Sequence, residues 1–430
     1  QFMDKETLSR YIYMKHSTYV KNIYHREVKV NYWGYTNGFY FAPKAAYSYK
    51  AERNAGEYVD YTTEFKDMVK SLHSMGIEVV MEFFFKDVTT AYILECVRYW
   101  VKEYHIDGVH IYCDEVSLNA LANDAQLADT KIMTIYWNKN KGVYRHMASY
   151  NNDVQNIIRR YLKGDEDMLK AFADMQLNNP DNAAIINYVT TNNGFTLYDL
   201  VCYDRKHNEA NGENNLDGPD YNYSWNCGAE GYSRKKAVNE LRKNQIFNAF
   251  FLLLFAQGMP CILSGDEFMN TQKGNNNAYC QDNLISWLDW NQLSRQEELY
   301  TFVCRLIALR KACMKQIAKK SEDTMGRSGI PQISYHGEDA WQMPAGRASR
   351  QLGVFYHEES TEKDFYIAYN MHWLSHSFAL PSLPKGMEWV CIAGTKEGVL
   401  DEKEAVPVKD KKVQLEERTI KVFVGRQAKE

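Results

Sequence analysis

A chain of 430 residues with a formal charge of −4 has room for one large domain and a smaller one. Near neutrality without a sustained basic run excludes nucleic acid as the main partner. Nine scattered cysteines without paired spacing exclude a disulfide or zinc framework and point to reduced thiols in a cytoplasmic protein.

The start, QFMDKETLSRYIYMKHS, is charged and reads as neither a signal peptide nor a membrane anchor. EFKDMVKSLHSMG places Phe65, Met68, Val69 and Leu72 on one helical stripe, with Gly76 as the stop. IEVVMEFFF follows as a buried strand. YILECVRYWVKEYHIDG repeats the helix pattern through Ile93, Val97, Trp100, Val101 and Tyr104, and VHIYC is the next strand. KIMTIYW reads as a strand, DVQNIIRRYLKG as a helix and AAIINYV as a strand. KKAVNELRKNQIFNAFFLLLFAQG is a long helix leading into the strand MPCILSG. Gln257, Gly258 and Pro260 break its apolar run, which is too short to span a bilayer. ELYTFVCRLIALRKAC closes the series.

Strand–helix units in this number predict a closed (β/α)8 barrel over residues 1–325. Beyond a boundary near Gly326 to Pro331 the character changes. QISYHG, LGVFYHE, DFYIAYNMHW, HSFAL, EWVCIAG and TIKVFVG are short strands between turn residues. They predict an all-β sandwich over 326–430. Aromatic residues make up 14% of the chain, and flat rings suit sugar faces, although most are expected in the core.

Three segments carry a more specific signal. VNYWGYTNGFYFAPKAAYS, HNEANGENNLDGPDYNYSWNCGAEG and SGDEFMNTQKGNNNAYCQDNLISWLDW resemble the alpha-amylase superfamily in its isoamylase and glycogen-debranching branch. The resemblance runs from about Tyr19 to the final strand. It implies a barrel followed by a β-sandwich acting on α-glucan such as glycogen or starch; no cofactor is expected, and the residues themselves offer no metal site. The N-terminal β-sandwich module common in that branch is expected to be absent.

The family chemistry needs three carboxylates at barrel strand tips, and retaining glycosidases hold two of them about 5–5.5 Å apart. By the resemblance, the nucleophile position is Tyr112, and His110 replaces its supporting arginine. The acid/base position is Ile135, in Thr134-Ile135-Tyr136-Trp137. The stretch Asn192-Asn193-Gly194 stands where the family has His-Asp-Gly. Glu82 to Asp87 stand in place of another family motif. The sizeable loop domain after this strand is largely deleted, which removes one wall of the cleft. The first strand, TYVKNIYHREV, is degenerate. In the family, the aromatic matching Tyr35 stacks on the sugar. Trp33 and Tyr35 are therefore candidate ligand-binding residues, as are Asn192 and Asn193, whose amides both donate and accept. Trp33 and Tyr35 also have a bland reading as core aromatics. Tyr112 and Ile135 either fill the space of the missing charges or contact a ligand. GENNLDG and KGNNNAYCQDN either line the barrel mouth or buttress it. Asp217, Asp220 and Asp282 read as scattered, solvated or capping acids.

Acid–base catalysis alone contributes about 10²–10⁴-fold, and loss of the nucleophile removes the covalent route as well. The expectation is a pseudoenzyme that binds α-glucan or maltooligosaccharide, or a partner protein, without cutting. Two alternatives stay open. One is an active glycosidase with relocated carboxylates from Asp87, Asp114 and Glu115, or with Tyr112 as nucleophile and His110 as its base. On an extended strand, Asp114 lies roughly 6–7 Å beyond Tyr112 on the same face. The other is an interaction protein that binds no sugar.

Overall fold

The computed structural model describes residues 31–33, 38–49, 60–137, 144–177, 183–317, 329–357 and 363–428. Tyr35, the segment TYVKNIYHREV and Gly326 lie outside them. The chain divides into two compact units.

The first unit holds the described residues up to 150, with 183–185 and 279–282. Helix α1 (Tyr61–Ser74) starts at Asp60, whose carboxylate accepts from Thr62 N and Thr63 N, and it ends before Gly76 at φ 73°. Strand β1 (Val80–Phe84), helix α2 (Thr90–Tyr104), strand β2 (Gly108–Tyr112), helix α3 (Glu115–Ala122) and strands β3 (Lys131–Thr134) and β4 (Met147–Tyr150) follow. The four strands run parallel in the order β1-β2-β3-β4. A Cβ on Gly108 would sit 2.7 Å from Lys131 O, so only glycine lets β3 approach there. The predicted α2 stripe is the core: Ile93, Val97, Trp100 and Tyr104 are buried. Trp100 stacks on Tyr104, and its Nε1 donates to Tyr40 O at 2.7 Å, so the ring is buried without an orphaned donor. The α1 stripe is weaker, since Val69 is buried while Met68 is exposed.

The second unit begins with α4 (Asn152–Lys163) and α5 (Leu169–Met175), and it holds β5 (Ala184–Tyr188) from Ile186 onward and the short α6 (Leu197–Leu200). Helix α7 (Lys236–Leu254), β6 (Met259–Cys261), α8 (Asn291–Arg295) and α9 (Glu297–Ile317) complete its α/β part, with β5 and β6 parallel. The second half of α7 is buried on every side, as its unbroken FNAFFLLL demands.

The C-terminal strands are β7 (Ile333–His336), β8 (Gln351–Tyr356), β9 (Phe365–Asn370), β10 (His376–Ala379), β11 (Met387–Gly394), β12 (Gly398–Val399), β13 (Lys412–Leu415) and β14 (Thr419–Gln427). Six form an antiparallel sheet in the order β12-β11-β14-β9-β8-β7, and β10 pairs with β13 in a second, two-stranded sheet. Every residue of β9 is buried. Phe365, Ile367 and Tyr369 enter a core shared with α4, α5, α7 and α9, while Tyr366 and Ala368 enter the core that includes β10 and β13 residues. The sheet is therefore covered by helices on one face and by the small sheet on the other. Buried polar side chains join it to the helices: Asn248 donates to Arg418 O at 2.8 Å, and Tyr161 OH donates to Arg350 O at 3.0 Å.

Candidate functional site

In the first unit the candidate residues lie at the ends of β1, β2 and β3. Register places Glu82 opposite His110 and Phe84 opposite Tyr112. Facing side chains on paired strands meet: His110 Nδ1 lies 2.6 Å from Glu82 Oε2, which makes Nδ1 the protonated nitrogen when the ring is neutral. The imidazole stacks on Tyr150 at 4.3 Å between ring centroids and lies 4.8 Å from Tyr112. His110 Nε2 is buried without a hydrogen-bond partner among the described residues.

Strand β3 stops at Thr134, short of the predicted end at Trp137. Its pairing with β4 covers only Ile132 to Thr134, so nothing holds the next residues extended. Ile135 is 49% exposed and therefore does not act as a packed plug, whereas Trp137 is buried. Asp87 sits exposed at φ 57° in the loop before α2.

The position expected for Asp114 needs correction. Strand β2 ends at Tyr112, so the pleat does not carry Asp114 along the same face. Asp114 is instead the N-cap of α3, accepting from Ser117 N at 2.9 Å and Ser117 Oγ at 2.6 Å. Those bonds hold its carboxyl below the usual range, and a cap of this kind is worth about 1 kcal/mol. Trp33 is half-buried and donates its backbone N–H to Tyr279 O at 3.1 Å.

In the second unit, Asn192 and Asn193 follow β5. Asn193 is exposed, and its N–H donates to Thr191 Oγ1 at 3.3 Å. Gly194 N donates to Asn276 O at 3.0 Å. Beneath this tip are charged residues that pattern reading passed over. Arg159, on α4, is buried, with Nε donating to Val189 O at 2.8 Å and Nη1 to Asn222 O at 3.1 Å. Asp266 is buried and accepts from Thr190 Oγ1 and from Leu197 N. Burial pushes its carboxyl up to about 7 against two hydrogen bonds that pull it down. Asp199, likewise buried, accepts from Thr271 Oγ1 and Gln272 N and is pushed up to about 6. The available signal was a charge inside an apolar run, as with Arg159 after Ile157-Ile158.

The two asparagine-rich motifs meet in space. Asn208 and Asn276 are fully buried and bond reciprocally: Asn208 Nδ2 donates to Asn276 Oδ1, and Asn276 N donates to Asn208 Oδ1, both at 2.9 Å. Asn276 Nδ2 donates to Pro219 O and Asn222 Oδ1. Asp217 Oδ2 accepts from Asn211 and Asn277, and Asn275 donates to Asn211 Oδ1. A Cβ on Gly218, at φ 72°, would fall 2.3 Å from Asn276 Oδ1. These amides are satisfied by one another, which makes the motifs a buttress that pins two loops together. Asp217 is thus a hub rather than a solvated acid, while Asp220 is exposed and pairs with Lys206 at 2.6 Å. Among the described residues no cluster of three or more His, Cys, Asp or Glu side chains is placed to hold a metal, and no helix is long and apolar enough to cross a membrane.

Parallel strands alternating with helices, followed by an antiparallel β domain, make up a fold shared with solved pullulanase structures. The chain is 30% identical over 469 residues to a glycogen operon protein GlgX homologue of Mycobacterium tuberculosis, covering 86% of this chain and 64% of that protein. It is 27% identical over 463 residues to chloroplastic isoamylase 1 of Oryza sativa, covering 85% of this chain and 56% of the relative. Among solved structures, type I pullulanase from Bacillus subtilis, complexed with maltose, superposes with a TM-score of 0.67 at 16% identity, over 91% of this chain and 59% of that one. No family model matches the chain. The chain is thus similar to isoamylases and to GlgX homologues, and it spans between about half and two thirds of the length of these curated relatives.

Proposed function

We propose that this chain recognises α-glucan or maltooligosaccharide on a debranching-type scaffold without cleaving it, with residues 1–325 as the barrel-type domain and 326–430 as the β-sandwich. One observation carries the reading. Two carboxylates beside the strand tips of the first unit are already engaged, Asp114 as a helix cap and Glu82 with His110, while the resemblance puts the family's acid positions at Tyr112, Ile135 and Asn193. Asn192 and Asn193 are the proposed partners of sugar hydroxyls in the second unit, and Trp33 is the proposed stacking residue of the first, with Tyr35 outside the described residues. The nine cysteines, none in a disulfide, suit a cytoplasmic setting.

The test is direct. The purified chain is expected to release no reducing ends from glycogen, pullulan or maltooligosaccharides above a protein-free blank, while maltoheptaose gives binding heat. Absence of heat across a wide concentration range would favour an interaction protein. A second reading is favoured by the His110 ring lying 4.8 Å from that of Tyr112, with Glu82 orienting the imidazole. A tyrosine nucleophile needs a base within hydrogen-bond reach of its hydroxyl, so this reading requires His110 Nε2, which has no partner among the described residues, to reach Tyr112. Release abolished by both Tyr112→Phe and His110→Gln would establish it and end the non-cleaving reading.

A further inference from the structure

Two arginines converge on the C-terminus of α4, outside the strand tips and the asparagine buttress. Arg350, just before β8, and Arg418, just before β14, are only 4% and 8% exposed. The helix end accounts for part of them. Arg418 Nη1 donates to Leu162 O at 3.2 Å and to Lys163 O at 3.1 Å, and Arg350 Nε donates to Gly164 O at 2.5 Å. Cations suit helix C-termini, so a capping role explains these bonds. It leaves the other nitrogens unexplained. Arg418 Nε and Nη2 and Arg350 Nη2 make no hydrogen bond among the described residues. The only ion pair of either arginine among those residues is Arg350 with Glu166, at 3.9 Å and on a largely exposed side chain that can swing aside. Burial and then the field of Arg350 lower the Arg418 guanidinium, so two like charges are held close together out of water. Arg418 also sits at φ 50°, a left-handed conformation costly for a residue other than glycine. Each guanidinium is steadied by a tryptophan face: Arg350 Cζ lies 4.7 Å from the Trp373 ring centroid and Arg418 Cζ 4.5 Å from that of Trp225.

We propose that Arg350 and Arg418 form an oxyanion site for a phosphate group, free or carried as a monoester. Charge selects this ligand. A phosphate carries about −1.5 to −2 near neutral pH and matches two guanidiniums, whereas a carboxylate matches one. A neutral ligand leaves the repulsion between the arginines in place. The planar forks, already held by the tryptophans, fit phosphate oxygens. His372 borders the site and reports on it. Its ring stacks on Trp373 at 4.2 Å, and its Nδ1 accepts from Leu374 N at 3.0 Å, as an uncharged ring does. Burial, followed by His376, Arg350 and Arg418, lowers its proton affinity. A dianion between the arginines offsets their field and raises that affinity again.

The test is calorimetric titration of the full chain with inorganic phosphate near pH 7, at constant ionic strength set with sodium chloride. The expected result is one saturable event per chain. Trp373→Glu, at a 55% exposed position, sets a carboxylate beside Arg350 and removes none of the arginine hydrogen bonds; it weakens the event about tenfold or more. Arg418→Lys keeps a charge but loses the fork, and weakens the same event. If that variant fails to fold, NMR titration of His372 in wild type decides: saturating phosphate shifts its midpoint upward, and chloride at equal ionic strength does not. Glucose 1-phosphate separates the two sources. Affinity equal to or tighter than that of inorganic phosphate supports the site as one for a monoester, and weaker affinity supports it as one for free phosphate. Absence of heat beyond the chloride blank, or an unmoved His372 midpoint, overturns the site. Phosphate binding that Trp373→Glu leaves unchanged places the ion elsewhere and overturns it as well.

Discussion

Arg159→Ala is expected to cost on the order of 3–5 kcal/mol of folding stability, the range for breaking a buried charged hydrogen-bond system by removing one partner. Arg159 is only 5% exposed, and burial lowers its guanidinium to about 10, still charged near neutral pH. Truncation takes the donor from the Asn222 carbonyl, leaves the Val189 carbonyl with only the 3.3 Å bond from Gln155 Nε2, and takes a cation away from Asp266 and Tyr188, whose fields favour its charge. It also unties α4 from the segment after β5 and from the loop carrying Asn222. Arg159→Met restores much of the packing but none of the hydrogen bonds, so it should recover only part of the loss. Denaturant midpoints of the three proteins decide the matter. A loss under about 1 kcal/mol would place Arg159 with ordinary surface charges.

Acidification supplies the second large effect, with a sign opposite to that of most aspartates. Desolvation holds the Asp266 carboxyl at about 7 and that of Asp199 at about 6, against an ordinary value of 3.8. Glu267 and Asp199 push Asp266 further up, while Thr190 and Leu197 pull it down. A raised value means that the folded chain holds the proton more tightly than the unfolded chain. The stabilisation is fully present below about pH 4 and is lost as pH rises through about 6 and then 7. For Asp266 alone the span corresponds to about 4 kcal/mol. Asp266→Asn keeps the shape and removes the titration. The stability of wild type minus that of Asp266→Asn should therefore fall between pH 4 and 8, as read from urea midpoints at several pH values. Parallel curves would show that Asp266 does not titrate in this window.

The long periodic segments of the fold were legible. The α2 stripe, the apolar half of α7 and the alternating strands of the C-terminal sheet declare themselves because burial must match a helical or strand period. Short elements were not. Strand β4, reading MASY, has no pattern of its own and exists because β3 lies beside it. Helix α3 was hidden by its mixed composition, and its cap, Asp114, was read as an extension of β2. At the candidate site, the identities of Tyr112, Ile135 and Asn193 came from their place in recognisable motifs. Their surroundings depended on contacts distant in sequence. The Glu82–His110 pair spans 28 residues and the Asn208–Asn276 pair spans 68. Only a known strand register would have brought Glu82 and His110 together. The asparagine motifs looked like turn formers, and their mutual pairing became visible only when the two loops met.

The hydrogen bond from Gly194 to Asn276 has a consequence for how this chain ages. Asparagine followed by glycine is chemically fragile, because the glycine nitrogen attacks the amide carbon, expels ammonia through a cyclic imide and leaves aspartate or its isomer. At Asn193 that slow reaction would replace a neutral amide with an acid. The attacking nitrogen, however, is donating to Asn276 O at 3.0 Å and must first be released. The buttress therefore also guards a chemical identity, and prolonged warm storage of the folded chain should leave the mass of the peptide containing Asn193 unchanged. A gain of one dalton there, in protein that is still folded, would show that the guard fails.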